Sequence, residues 1–278
     1  MQNSTIQYPS SDLSRYIKYY WILKTGDVDK ITVQTIPSGC MHLVFHRGNR
    51  MRYISGDEQP AGFLRGQLSL PGNIFSLGKI DMIAVIFQPL GFSSFFSLPT
   101  SLFYNEYIDV EALGDNGLRE LNARLASEED AKACIGHIEQ FLIDRLKNDD
   151  YNIRRMQCAV QEIVATEVAV SVDQLANSAF LGYRQFKRIF EQYIGMGPKE
   201  YCRVIRFQRA LHFLQLNPSV EISRLAYECG YYDHSHLVKE FKELTGYAPM
   251  EYISTHTPYS TFFSKDCRLN LIEKNRKN

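Results

Sequence analysis

Gly230-Tyr-Tyr-Asp-His-Ser-His-Leu-Val-Lys-Glu-Phe-Lys-Glu-Leu-Thr-Gly246-Tyr-Ala-Pro249 is the stretch that decides how the C-terminal third folds. Leu237, Phe241 and Leu244 recur at helical spacing, which predicts a helix over 233–244, stopped by Gly246 with Pro249 beyond. Sliding the chain along itself by 51 residues lays Leu237, Phe241, Gly246, Pro249, Glu251 and Tyr252 on Phe186, Phe190, Gly195, Pro198, Glu200 and Tyr201. A shift of 50 lays Leu225-Ala226 on Leu175-Ala176. Matches that include glycine and proline in so short a window mark a duplicated unit.

Each copy has the form of a helix-turn-helix. In the first, Val172, Leu175, Ala176 and Ala179 make an apolar stripe, the chain turns near Gly182, and a second helix is predicted over 183–193. In the second, Ile222, Leu225 and Ala226 make the stripe and Gly230 sits in the turn. A connecting helix from Pro198 to about Leu216 joins the two copies. At 100° per residue, Phe186, Ile189, Phe190 and Tyr193 share one face of the 183–193 helix, with Arg184, Lys187, Arg188 and Glu191 opposite. The later helix presents Ser235, Val238, Lys239 and Lys242 outward, a less basic face. A cationic second helix suits a DNA major groove, since Arg and Lys neutralise phosphates and donate to guanine. Charge does not carry this reading, however: residues 160–254 hold ten Lys and Arg against eleven Asp and Glu. The duplication and the turn spacing do.

Over roughly 160–254 the chain resembles the AraC/XylS family of bacterial regulators. The residues that carry the likeness are Leu175-Ala176, Phe186-Lys187-Arg188-Ile189-Phe190, Gly195-Met196-Gly197-Pro198, Tyr201, Arg206, Ala210, the Gly230–Pro249 stretch and Tyr252. The resemblance implies that one monomer reads two adjacent major-groove segments, Arg184, Gln185, Lys187 and Arg188 facing one and His234, Ser235, Val238 and Lys239 the other. Tyr183, at the entry to the first reading helix, joins the DNA-binding set. Phe180-Leu181-Gly182 departs from the Gly-Met-Ser-like entry more usual there, and His236 falls beside the apolar face as a structural or wedge residue.

Upstream, short apolar runs from Ile31 to Phe87 (ITVQTIP, MHLVFH, MRYISG, QLSLPG, IDMIAVIF) are broken by Pro-Ser-Gly, Arg-Gly-Asn and Pro-Gly-Asn turns and predict β-strands. Residues 13–21 fit a short helix or an edge strand equally. Met82 to Asn105 carries no charge, but its prolines and glycine fit a buried strand, loop and short helix better than a membrane span. Ser127 is read as the N-cap of an amphipathic helix carrying Ile135, Ile138, Leu142 and Leu146, which either packs on its own domain or forms a dimer seam. The fold class expected is α+β. A β-rich, barrel-like sensor or dimerisation domain occupies 1–126, a helix and linker 127–150, an all-α domain of two helix-turn-helix units and a connecting helix 151–254, and a tail 255–278. Residues 1–126 resemble more loosely the sensor domains of one AraC subgroup, through Tyr16-Ile17, Tyr20-Trp21, Pro37-Ser-Gly39, Leu43-Val44-Phe45, Gly91-Phe92 and Phe95-Phe96. Trp21, Phe45, Phe63, Phe75 and Phe87 are candidates to line an effector pocket, or simply core.

With 278 residues, 45% of them hydrophobic, and 31 basic against 31 acidic side chains, the chain can bury two cores and is no histone-like polycation. Six dispersed cysteines without a CxxC pair disfavour a zinc finger or disulfide framework, and with no secretory signal read at the start they suit a cytoplasmic protein. His42 and His46 share a face of a predicted strand, but no His-x-His pair or convincing carboxylate joins them, Glu58 being the nearest, so no metal and no cofactor is expected. GxSxG, GxxxxGK[ST], HExxH and GxGxxG are absent, which leaves catalysis without named residues. The expectation is therefore a transcription regulator and not an enzyme. Its partners would be double-stranded DNA, a small-molecule effector, RNA polymerase and a second copy of the chain, with no membrane. The competing reading is an enzyme with metal-dependent or DNA-repair chemistry in the β domain and a DNA-targeting C-terminal module.

Overall fold

The computed structural model describes residues 3–26, 31–76, 78–147, 150–166 and 170–255. The chain divides into two compact units: Met1–Val33, Cys40–Gln67 and Asn73–Asp150 form one, and Gln34–Gly39, Leu68–Gly72 and Tyr151–Asn278 the other.

The strands, which belong to the first unit apart from Gln34 and Thr35 of β3 and Gly72 of β7, are β1 (Asn3–Gln7), β2 (Ile17–Lys24), β3 (Ile31–Thr35), β4 (His42–His46), β5 (Arg52–Tyr53), β6 (Gly62–Arg65), β7 (Gly72–Ser76), β8 (Asp81–Phe87) and β9 (Tyr107–Asp109). They form a six-stranded sheet in the order β1-β2-β8-β4-β6-β9 and a three-stranded sheet β3-β7-β5, so the β-rich domain is built as two sheets and not as one closed barrel. Strand β2 runs between β1 and β8, antiparallel to both. The ambiguous segment 13–21 thus becomes a turn followed by an inner strand, because its hydrophobic run is buried on both faces. The uncharged stretch after Met82 is strand β8 followed by short 3-10 turns.

Residues paired across an antiparallel ladder share a face, and the two faces of the large sheet differ sharply. One carries Ile83, Val85, Leu43, Phe45 and Leu64, closed over by helices α1 (Asn116–Ser127) and α2 (Ala131–Ile143). Leu118, Leu121 and Leu125 of α1 and Cys134, Ile135, Ile138 and Leu142 of α2 all enter this core. Each buried aliphatic side chain contributes about 1.5–3 kcal/mol, and the stripe once open to a dimer seam is spent within its own domain. Ser127 does not cap α2. It ends α1, and the Asp130 carboxylate caps α2 by accepting from the Lys132 and Ala133 amides.

The second unit holds α3 (Tyr151–Ala165), α4 (Val172–Ser178), α5 (Tyr183–Ile194), α6 (Pro198–Leu216), α7 (Ile222–Glu228), α8 (His234–Thr245) and α9 (Pro249–Thr255). Helix α3, missing from the reading of the sequence, buries Met156, Ala159, Val160, Ile163 and Val164. Ser171 and Gln174 close a reciprocal capping box on α4, and Gly195 and Gly246 end α5 and α8 in the left-handed conformation. Segment 34–39 belongs to this helical unit. Ile36 lies in the core of the second helix-turn-helix with Phe207, Leu211, Leu225, Leu237 and Phe241. The Gln34 side chain donates to the Thr245 carbonyl at 2.8 Å, and the Gln208 side chain donates to the Pro37 carbonyl. Gly39 has φ +72°, and a Cβ there would meet Ile205 Cδ1 at 2.9 Å, which is why glycine ends the Pro-Ser-Gly turn. Residues 256–278 of the expected tail, residues 148–149 of the expected linker and Cys267 lie outside the described residues.

Candidate nucleic-acid interface

Helices α5 and α8 form because each alternates an apolar face with a polar one. On α5, Phe186, Ile189, Phe190 and Ile194 are buried; Tyr193 is only partly buried, and Ile194 takes the place expected of it at the end of the stripe. Phe186 and Phe190 pack against each other, and Phe190 meets Tyr201 of α6 edge-on, their ring centroids 5.6 Å apart. On α8, Leu237, Phe241 and Leu244 are buried, with Phe241 edge-on to Phe207 of α6 and to Tyr252 of α9. These inner contacts fix which side chains remain outside.

Tyr183, Arg184, Gln185, Lys187 and Arg188 are all exposed, as are His234, Ser235 and Lys239, while Val238 is half-buried. Lys187 forms an i,i+4 ion pair with Glu191 at 3.8 Å, so part of its charge is already balanced within the helix. Ser235 Oγ lies 3.3 Å from His234 Nε2. His236 meets the Tyr231 ring edge-on at 5.2 Å and lies 3.8 Å from Glu240, a packing role consistent with its place beside the apolar face.

The two helix starts differ. Gly182 offers α5 no side-chain cap, whereas the Asp233 carboxylate caps α8 by accepting from the His236 amide at 2.7 Å. A carboxylate at a helix N-terminus opposes the approach of phosphate, and an uncapped start favours it.

Not every cation counted in the sequence faces outward. Glu240, on α8, is buried, and Arg206 of α6 grips it through two nitrogens at 2.6 and 3.2 Å while Arg203 approaches at 3.3 Å. Burial opposes the Arg206 charge, but the adjacent Glu240 carboxylate outweighs it and raises the pKa; the guanidinium also lies 4.8 Å from the Tyr231 ring centroid. Arg203 and Arg206 therefore brace α8 against α6. Sequence counting missed this because the partners are separated by 34 and 37 residues and lie on different helices.

The turns of the two copies correspond as well. Gly230 has φ +71°, and its counterpart under the 50-residue shift, Phe180, has φ +53° and is 86% exposed. Arg155 of α3 donates to the Ala179 carbonyl at 2.7 Å and to the Phe180 carbonyl, holding this turn from outside the duplicated unit.

Two family models match the chain: one described as a helix-turn-helix domain, over residues 175–255, and one described as a domain of unknown function (DUF6597), over residues 6–109. The HTH-type transcriptional activator RhaS of Enterobacter sp. (strain 638) is 26% identical over 110 residues, 40% of this chain and 38% of the relative. The HTH-type transcriptional regulator GbdR of Pseudomonas aeruginosa (strain UCBPP-PA14) is 29% identical over 126 residues, 41% of this chain and 34% of the relative. The chain thus spans well under half the length of these relatives. Among solved structures, ToxT from Vibrio cholerae aligns with 86% of this chain and 98% of its own at 14% identity and a TM-score of 0.45. Residues 175–255, which hold both helix-turn-helix units, thus match a helix-turn-helix domain, and the relatives named above are HTH-type regulators.

Proposed function

We propose that the protein is a sequence-specific DNA-binding transcriptional regulator whose helices α5 and α8 enter successive major-groove segments. The observation that carries this reading is the duplicated helix-turn-helix, with both second helices buried along their apolar faces and the DNA-reading side chains left outside. Tyr183, Arg184, Gln185, Lys187 and Arg188 read one segment; His234, Ser235, Val238 and Lys239 read the other. The named relatives are regulators, which favours control of transcription over the enzyme reading. Among the described residues no group of three or more His, Cys, Asp and Glu gathers that could hold a metal.

In this reading the β-rich unit receives a small-molecule effector, and the regulator works in the cytoplasm as a homodimer with RNA polymerase as a downstream partner. No helix among the described residues is long and apolar enough to cross a membrane. Selection of genomic fragments on the full-length protein, followed by sequencing and mobility shifts at moderate salt, is the test. A recurring site with two unequal halves is expected, and the absence of any sequence-specific shift would sink the reading. Sedimentation of the free and DNA-bound protein measures the dimer.

Arg188→Ala is expected to weaken binding to the selected site by about 1–3 kcal/mol and to relax sequence preference at one position, the mark of a bidentate base contact. Unchanged affinity removes Arg188 from the reading set.

A further inference from the structure

The face of the large sheet turned away from α1 and α2 is the anomaly of the β-rich unit. The pairing register sets out its rows: Tyr19, Ile86, His42, Arg65 and Tyr107 in one, and Trp21, Ala84, Val44, Phe63 and, at the sheet edge, Asp109 in the next. Phe45 and Phe87, grouped with Trp21 and Phe63 in the sequence, lie instead in the helix-side core. The second sheet meets the polar face through Tyr53 of β5, whose ring stacks on Tyr107 at 5.0 Å between centroids. Ser76 shares a strand face with Ile74, which pairs with Tyr53, and so points the same way.

An interior face of this kind is ordinarily apolar, because each buried polar group without a partner costs about 1–3 kcal/mol. Here His42, His46, Gln59, Gln67 and Ser76 are all buried. His46 Nε2 meets Gln59 Oε1 at 3.0 Å, but its Nδ1 has no hydrogen-bond partner, nor has Ser76 Oγ. Gln67, two residues past Arg65 at the end of β6, is 1% exposed with neither amide atom bonded. The Asp109 carboxylate at the sheet edge accepts from the Glu111 amide, and the charges that act on His42 are positive. Arg65 and Lys18 both act on the His42 ring, adding to the burial that lowers its pKa, and Arg65, drawn down to about 10 mainly by burial, stays a cation at neutral pH.

We propose that this face, centred on Arg65, His42 and Gln67, binds a small organic anion, its carboxylate or phosphate oxygens held by Arg65 and the Gln67 amide and its apolar body lying toward Phe63 and Trp21. Arg65 supplies charge and a forked donor, neutral His42 and Gln67 supply direction, and the aromatic rows supply apolar contact. The proposal rests on the effector reading of the β-rich unit and gives that effector its chemical class.

Trp21 is the single tryptophan of the chain and lies on this face, so its fluorescence reports occupancy without a label. The experiment uses the full chain with 3-phenylpropionate, hexanoate and phenyl phosphate, each against an uncharged counterpart (3-phenylpropanamide, hexanamide, phenol). At least one anion is expected to change Trp21 emission and to raise Tm by about 5 °C at saturating concentration, with its neutral partner inactive. Comparison of the carboxylates with the phosphate identifies the head group. Arg65→Gln should abolish the anion response. Gln67→Met, which keeps the volume and removes the unbonded amide, should raise the Tm of the ligand-free protein and weaken anion binding at least tenfold. The proposal is overturned if no anion acts, if the amides act equally, or if the Gln67→Met protein is destabilised and binds the anion as before. Mobility shifts of the ligand-free protein are run in parallel. Specific DNA binding without an anion response strikes the pocket alone, whereas an anion response without specific DNA binding strikes the regulator reading.

Discussion

Phe180 is the residue at which local rules are most plainly broken. A phenylalanine in the left-handed region costs roughly 1–2 kcal/mol over glycine, and with its ring in solvent it recovers little through packing. Part of the difference is offset by glycine's greater freedom in the unfolded chain. Phe180→Gly is therefore expected to stabilise the protein by about 0.5–1 kcal/mol in urea denaturation; destabilisation would mean that the ring makes contacts beyond those at this turn. Glu240 represents the opposite case, a buried charge fully engaged. Glu240→Ala leaves Arg206 and Arg203 without their shared carboxylate and is expected to cost on the order of 3 kcal/mol. The double change of Glu240 and Arg206 to leucine and methionine should recover much of that loss, a pattern that a simple packing defect at either residue would not give.

At the scale of elements, α5, α6 and α8 were legible in the sequence nearly to the residue, because strong amphipathic periodicity coincides there with glycine stops and a proline start. Helix α3 carries an equally regular stripe, but nothing in the duplicated unit points to it, and its Arg155 contacts are tertiary. Ser127 has the chemistry of a cap but closes α1, whose leucine stripe runs up to it, and Asp130 takes the capping position of α2. Which strands pair was not legible, since β2 finds β8 across some sixty residues and local pattern says nothing about such partners. Which side chains of α5 and α8 stay exposed was legible because it follows from helix phase; the Arg203–Arg206–Glu240 brace was not, because it joins two helices. The unequal starts of α5 and α8 lead to a prediction at this scale. Replacing both Arg184 and Lys187 with alanine should lower the slope of log affinity against log salt by more than replacing Lys239 and Lys242 does, measured on one selected site. Equal losses would mean that the two helices share the phosphate contacts evenly.

For the molecule as a whole, acid should act first on the β-rich unit. Burial, chiefly, drives the His42 pKa down to about 3 and the His46 pKa down to about 4, whereas in the unfolded chain both titrate near 6.5. The unfolded state therefore binds protons that the folded state refuses. Stability is complete above pH 6.5 and declines as pH falls from there toward 4, on the order of 2–3 kcal/mol per pH unit with both histidines contributing. Thermal melts monitored through Trp21 between pH 7 and 4.5 measure this, and the slope should roughly halve in His46→Gln. A flat profile would place both rings in contact with water.

Segment 34–39 has one further consequence, for how such a chain can be cut and recombined. The described helices of the second unit run from Tyr151 to Thr255, so a graft of the helix-turn-helix module onto another sensor would naturally be joined near 150. That graft would leave behind Ile36 and the Gln34 amide, and with them a plug in the second repeat's core and a cap on the last turn of α8. The inheritable module is thus discontinuous, and a working chimera has to carry a hexapeptide from its donor's opening strands.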